Sequence, residues 1–487
     1  MTEKDKLRDE MDDKEIEEIL EEEKKEGDSR GSSDQAENGR GENKMGVMPI
    51  RRLIISMSLP MMISMLVQAL YNVVDSIFVA QIEEKALTAV TLAFPMQNFM
   101  IAVAAGTGVG INALLSRSLG ERRFDRANHA ANNGVFVIIL SGVVFFLIGF
   151  FGATPFIELQ NSDPTIVSYG GTYLGIVSCL AMPLFLQVTM ERLLQSTGRT
   201  LFSMFSQVTG AVINIIFDPI LIFGLAGFPK MGVAGAAYAT ILGQTIATLV
   251  GVFCNLKFNK DIRLSWKEIF RPRAAIIKQI YIVGVPSMLM MFIGSVMTFA
   301  MNKILGKFSD TATAVFGVYF KIQSFFFMPV FGLNNGLIPV LAYNYGARKK
   351  ERIKEALKFS MILAVGIMGV GTILFQLFPE ALLKMFDAGD EMIRLGVPAL
   401  RIISLSFCLA SVCIVMGSIF QAFSKSIYSL FVAVGRQLVA LIPAAWLLSL
   451  TGDVTNIWWA FPIAEGMSLI LSIFFFRKVY RNTVQLL

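Results

Sequence analysis

Shifted by 226 positions, this chain of 487 residues aligns with itself. Pro60 falls on Pro286, Gln97 on Gln323, Gly120 on Gly346, Gly170 on Gly396 and Gln195 on Gln421. The single offset relates residues from about 51 to 260 to residues from about 277 to 486. The chain is therefore one unit used twice, and both copies must bury their apolar surface in the same way. That surface is large: 54% of the residues are hydrophobic and 16% are charged, where a soluble domain carries about a quarter charged. Lipid is the solvent such a composition requires, and two like halves with a site near their interface is how many secondary transporters are built.

Twelve apolar segments are long enough to cross a hydrocarbon core of about 30 Å as helices. They lie near 53–80, 88–116, 129–153, 165–194, 201–224, 232–256, 276–304, 312–343, 355–377, 391–421, 428–450 and 456–478. Six per half is an even number, so both halves enter from the same side. The expected fold is an all-α polytopic membrane protein with 12 transmembrane helices in two six-helix lobes, related by a pseudo-two-fold along the membrane normal. The domains read as an acidic, disordered cytoplasmic tail over 1–45, an N-lobe over 46–256, a cytoplasmic linker over 257–275 and a C-lobe over 276–487.

The net charge of +6 conceals two regions. Residues 1–44 carry a balance of −8 and the remainder a balance of +14. Within the tail, DDKEIEEILEEEKKE has the Glu–Lys spacing of a transient helix, and GDSRGSSDQAENGRGEN the composition of a disordered stretch. The bases of the rest cluster after the even-numbered segments: Arg117, Arg122, Arg123 and Arg126; Arg192 and Arg199; Lys257 to Lys278; Arg348 to Lys354; and Lys425. The opposite connections are short and neutral or acidic, so the basic side is cytoplasmic and both termini are expected inside. These bases are topology signals and no nucleic-acid footprint. The linker KFNKDIRLSWKEIFRPR, with Trp266, reads as a short amphipathic helix on the inner surface. No cleavable signal peptide opens the chain, which leaves the first apolar helix as the insertion signal.

An ionisable side chain in hydrocarbon costs several kcal/mol, so each one invites a functional reading. On the first segment Gln68, Asn72 and Asp75 share a face, and Pro60 weakens the helix ladder below them. On the fifth, Asn214 and Asp218 are four apart, with Pro219 next to the acid, and Thr240 follows on the sixth. Two carboxylates, an amide and a hydroxyl can hold a hard cation such as Na⁺. Alternatively one acid carries a proton, or both acids merely hydrogen-bond across helices. The second half lacks these acids, with Met301 opposite Asp75 and Ala444 opposite Asp218. It carries instead Lys321, Arg401, Arg436 and Glu465, either as a buried ion-pair network bracing the lobe or as groups that contact cargo or couple the lobes.

At these residues the chain resembles the MATE (multidrug and toxic compound extrusion) transporters from about Pro49 onward. The matching stretches are YNVVDSIFVA around Asp75, SLGERRFDRANHA after the second segment and INIIFDPILIFG at Asn214–Asp218. GVAGAAYAT ending at Thr240 and GLIPVLAYNYGARKKERIKEA after the eighth segment continue the series. The resemblance implies a multi-pass efflux antiporter of a prokaryotic cytoplasmic membrane, driven by Na⁺ or H⁺ and rocking between two states. It also implies small organic molecules as cargo, lipid as surroundings, a monomer, and no cofactor beyond the coupling ion. Carried over by residue, Asp75, Asn214, Asp218 and Thr240 match a cation site, Gln68 and Tyr173 a cavity lining, and Pro60 a bending proline. Glu191 replaces a frequent asparagine and lies either in the cavity or at its cytoplasmic rim. The NorM-like branch has a glutamate where this chain has Gly294, so the sequence is closer to the DinF-like and MepA-like branches.

Other chemistries find little support. The single histidine, His129, follows a basic loop, and neither H-E-x-x-H nor G-x-x-x-x-G-K-[ST] occurs, which excludes zinc-protease and nucleotide-pump readings. Cys179, Cys254, Cys408 and Cys413 have no metal spacing and read as reduced packing residues. Gly106 and Gly110 have the small-xxx-small spacing of close helix packing. The competing transport reading is a lipid-linked oligosaccharide flippase. That reading is weakened by an acidic intramembrane set and by a chain that stops just after the twelfth segment.

Overall fold

A computed structural model describes residues 43–386 and 388–487. The acidic tail, with its expected helix, lies outside the described residues. The chain divides into residues 1–47 and a larger unit, Met48–Leu487; the described part of the first holds a turn of helix, Lys44–Val47. The larger unit is helical among its described residues.

Its spans are α1 (Ile50–Ala80), α2 (Glu84–Gly120), α3 (Phe124–Glu158), α4a (Pro164–Cys179), α4b (Met182–Ser196), α5 (Thr200–Phe223) and α6 (Val233–Phe258). The second set is α7 (Ala274–Leu305), α8 (Asp310–Gly346), α9 (Lys350–Leu377), α10a (Asp390–Ser404), α10b (Phe407–Ala422), α11 (Ser426–Ser449) and α12 (Ala460–Val479). Ten spans are long and apolar enough to cross a membrane singly, and two bent pairs bring the number to twelve. The repeat is visible in the boundaries, since α2 and α8 begin and end at positions related by the same offset of 226. These two are the central helices: 72% and 61% of their most apolar stretches are buried, against at most 44% elsewhere.

Two expected helices are broken. The fourth bends by 46° between Cys179 and Met182, and the tenth bends by 46° between Ser404 and Phe407. Pro183 explains the first, because it cannot donate to the Cys179 carbonyl and its ring crowds that group. At the second, Ser404 Oγ and Ser406 Oγ donate to the carbonyls of Arg401 (3.0 Å) and Ile403 (2.7 Å), so side-chain bonds compete with the backbone ladder at the break. Within α11 the turn Gly435–Leu441 is π-helical, just ahead of Pro443. By contrast α1 runs unbroken through Pro60, which is buried.

The linker is not an amphipathic helix of any length. Its helical part is one turn, Trp266–Ile269, with Ile269 buried and Trp266 exposed. Three asparagines on α3 hold the rest. Asn128 Oδ1 accepts from Arg263 N at 2.8 Å, and Asn132 donates to Arg263 O at 2.9 Å while accepting from Ser265 N at 3.0 Å. Asn133 Oδ1 accepts from Arg273 N at 2.6 Å. His129 faces Glu268 at 3.6 Å in the same seam.

The lobes meet at the end bearing the basic loops. Gly106 and Gly110 do serve close packing, but across lobes: a Cβ on Gly106 would run into Met288, and one on Gly110 into the Ile280 carbonyl. The symmetry-related Gly332 sits 2.5 Å, at Cβ distance, from the Met62 backbone, and Gly120 and Gly346 abut the carbonyls of Tyr343 and Arg117. Ser58 Oγ donates to Leu333 O (3.3 Å), Arg126 to Gln279 Oε1 (2.7 Å) and Arg352 to Met48 O (2.8 Å). The Arg117 guanidinium lies 4.9 Å from the Tyr345 ring centre. Three bases that read as topology markers thus also tie the lobes together.

Candidate functional site

The site is built where α5 and α6 come close. Gly210 and Gly243 allow this approach, a Cβ on Gly210 lying 3.0 Å from the Gly243 carbonyl and one on Gly243 lying 2.6 Å from the Gly210 carbonyl. One turn beyond Gly210, Asn214 is therefore within reach of Thr240, and one turn further Asp218 is fully buried. Asn214 Nδ2 donates to Asp218 Oδ1 at 3.4 Å. Turning the amide over retains a donor to the acid, now to Oδ2 at 3.3 Å, and lets the amide oxygen accept from the Thr240 N–H at 3.3 Å. Thr240 Oγ1 is spent on the Ala236 carbonyl at 3.0 Å. Pro219 has no N–H, so the Ile215 carbonyl lacks its usual helical donor.

From α1, Asp75 brings its carboxyl against that of Asp218, close enough to share a hydrogen bond. Two carboxylates are both acceptors, so this contact requires a proton between them or a cation beside them. Asp75 Oδ1 is buried and has no donor. The pair is thus short of donors, with the Asn214 amide supplying one. Among the described residues no three His, Cys, Asp or Glu side chains converge on a point.

The surrounding residues divide into those that join the pair and those that do not. Tyr71, one turn below Asp75, is near both acids and Glu191. Tyr173 is 3% exposed, near the pair, and its hydroxyl accepts from Gln97 Nε2 at 3.1 Å. Gln68 Oε1 accepts from Gln207 Nε2 at 3.0 Å, tying α1 to α5. Asn72 is exposed. Glu191 lies on α4b, is buried, and accepts from Gln187 at 3.0 Å.

Sequence reasoning misread Arg192. It is no loop base but 9% exposed inside α4b, donating to Gln195 Oε1 at 2.9 Å and across the lobes to Asn335 Oδ1 at 3.1 Å. Gly108 makes its room, since a Cβ there would lie 2.7 Å from Arg192 Cγ. Tyr71, Gln97, Gln207 and Asn335 were also missed. Tyr71 had a usable signal in its spacing of four from Asp75, whereas the others act across helices.

The four C-lobe charges do not form one network. Arg436 Nη1 donates to Glu465 Oε1 at 2.8 Å, from the π-helical turn of α11. Lys321 and Arg401 are exposed, and among the described residues neither has a carboxylate within 4.0 Å. Arg401 lines a groove of about 360 Å³ with Phe378, Glu380 and Lys384, beside the break where α9 ends. Gly294 faces Gln437, whose Oε1 is buried without a donor.

Comparison with known proteins matches this architecture. The MatE family model matches the chain twice, over residues 60–220 and 286–447. The chain is similar to the multidrug export protein MepA of Staphylococcus haemolyticus, 24% identical over 426 residues that cover 87% of this chain and 93% of that protein. It is also similar to an FAD transporter of Shewanella oneidensis, 24% identical over 417 residues that cover 86% and 92%. Among solved structures, an outward-facing multidrug resistance MATE family transporter of the MOP superfamily superimposes with a TM-score of 0.86, at 24% identity over 92% of this chain and 99% of that one. A MOP superfamily transporter from Pyrococcus furiosus, described as having a binding pocket of reverse polarity, gives a TM-score of 0.84 at 25% identity, covering 90% and 98%. The chain belongs to the MatE family and is a multi-pass membrane transporter of its MepA-like branch, not an enzyme.

Proposed function

We propose that this protein is a secondary active multidrug antiporter. It exports amphipathic, often cationic organic compounds in exchange for Na⁺ or H⁺ by rocking its lobes about their interface. The observation that carries the reading is the half-buried Asp75 carboxyl, set against Asp218 with its buried Oδ1 lacking a donor. An arrangement short of donors is stabilised by whatever positive species enters it. It therefore binds a coupling ion, and it releases the ion where the site opens to the other side.

Asp75 and Asp218 take up the proton or Na⁺, while Asn214 orients Asp218 and Thr240 closes the oxygen set. On this reading the basic side is cytoplasmic and the conformation faces outward, which the lobe contacts at the basic end support. Ion uptake from outside draws α1 toward α5 and narrows the N-lobe cavity beside Tyr71 and Tyr173, displacing cargo outward. Closure of the outer ends then needs the basic-end contacts to part. The termini are cytoplasmic and the working unit is a monomer.

Efflux of ethidium from proteoliposomes, with Na⁺ and pH gradients imposed separately, tests this. One gradient drives export in the wild type, and Asp75→Asn and Asp218→Asn each lower the driven rate by about ten-fold or more, as expected for a lost charged contact of roughly 1.5–3 kcal/mol. Driven export at wild-type rate in either variant would sink the assignment.

A further inference from the structure

Lys321 belongs to no ion pair or hydrogen bond among the described residues, although it sits in the middle of an intramembrane helix and its side chain is exposed. An ammonium at that depth is tolerated where water reaches it, or where its stem carries it to the interface. Where it points follows from the helix itself. The face of α8 that meets the N-lobe is marked by Gly332 and Gly336 against α1 and by Asn335 against Arg192. At 3.6 residues per turn, Lys321 lies about 20° around the helix from Gly332 and about 40° from Asn335. The exposed stripe Ala314, Gly317, Lys321 and Phe325 continues that same face away from the contact. Lys321 therefore points into the cleft between the lobes.

Its depth is fixed as well. Gly332 against Met62 and Gly336 against Ser58 define one antiparallel register between α1 and α8. In this register Lys321 is about level with Val73, between the exposed Asn72 and the acid Asp75. The repeat adds a control, because the first half has Pro95 at the corresponding position. At that level the N-lobe holds the acid pair off the face of α1 that meets α8, as Asp75 lies more than about 90° around the helix from Ser58 and Met62, while the C-lobe presents an ammonium with no partner among the described residues.

We propose that Lys321 is a cargo-binding residue that recognises an anionic group, a carboxylate or a phosphate, on molecules in the cleft. This rests on the transport reading above but concerns the polarity of what is carried. An ammonium with three free donors and no internal acid is a point receptor for such oxygens. Arg436, in the same lobe, does not compete for this role because Glu465 already neutralises it.

The test uses the full chain in phosphatidylcholine nanodiscs, with fluorescence anisotropy of carboxyfluorescein as the anionic probe and ethidium as the cationic one. Lys321→Gln weakens carboxyfluorescein binding by about ten-fold, the scale of one charge-assisted contact, while ethidium binds no more weakly than before. Lys321→Arg keeps the dye within about three-fold, since charge and donors remain. Unchanged dye affinity in Lys321→Gln would overturn the proposal, as would equal weakening of both probes. Replacing part of the lipid by phosphatidylglycerol separates the two sources of anion. Competition with the dye in the wild type assigns the contact to a lipid headgroup, and no competition assigns it to a solute. Failure of the wild type to export ethidium under any gradient would remove the export reading and leave these binding results standing.

Discussion

Asp75 and Asp218 lie on different helices, and nothing in their sequence separation says that they touch. The spacing of Asn214 and Asp218 was legible because residues four apart on a helix share a face. The contact between α1 and α5 was not, because the spacing within either helix does not say which face of one meets the other, and the closeness of α5 to α6 rests on glycines, Gly210 and Gly243, that meet only in the fold. The same limit explains Arg192, whose neighbours in sequence look like a loop while its partners Gln195 and Asn335 bury it. Asn214→Ala tests the residue scale. It removes the one side-chain donor to Asp218, and the driven efflux rate falls by about ten-fold, the equivalent of a hydrogen bond to a charged group. The thermal unfolding midpoint of the purified variant stays within about 5 °C, since one bond of this kind is a small part of the whole.

Among the elements, α4 shows what single-sequence reading loses. Its apolar run is continuous, so composition gave one helix, and the proline that breaks it is visible only as a local exception. At the outer end of α4a, Asp163 accepts from Thr165 N at 2.8 Å and Ile166 N at 3.4 Å, and Lys85 reaches it at 2.6 Å. The Lys85 ammonium holds this carboxyl below its ordinary value. The cap thus contributes fully above the ordinary carboxylate range and is lost as the pH falls through the lowered value. The protection of the Thr165 and Ile166 amides, taken relative to the intrinsic exchange rate at each pH, should fall only in that acid range, and in Asp163→Ala at every pH. The linker gives a second test. Its clamp by Asn128, Asn132 and Asn133 was invisible in sequence, because these asparagines read as polar residues near a basic loop. Asn132→Ala removes two bonds to the linker and should open the Arg263 and Lys267 peptide bonds to trypsin several-fold faster, with no comparable change at Lys349 or Lys350.

For the whole molecule, the offset of 226 settled much, namely two like halves and paired glycines, while the central place of α2 and α8 came only with the structure. What it left open is where the halves differ in use, at Lys321, Arg401 and the Arg436–Glu465 pair. The paired glycines predict a conformational outcome. Gly120→Val and Gly346→Val each push a side chain into the opposite lobe's carbonyl, forcing the basic ends apart. Spin labels across the outer ends should then report a shorter distance than in the wild type, and an unchanged distance would contradict the rocking mechanism.

The bond from Arg273 N–H to Asn133 falls one residue before α7 begins at Ala274. The strap between the lobes therefore has no slack at its far end, and α7 starts from a fulcrum pinned to the N-lobe. Thirty-two residues of helix make a lever of about 48 Å. A turn of about 10° at that fulcrum carries the far tip through roughly 8 Å, while Ala274 scarcely moves. In the rocking mechanism proposed above, the stroke at the end far from the basic loops is thus set by leverage from a single side-chain amide beside them.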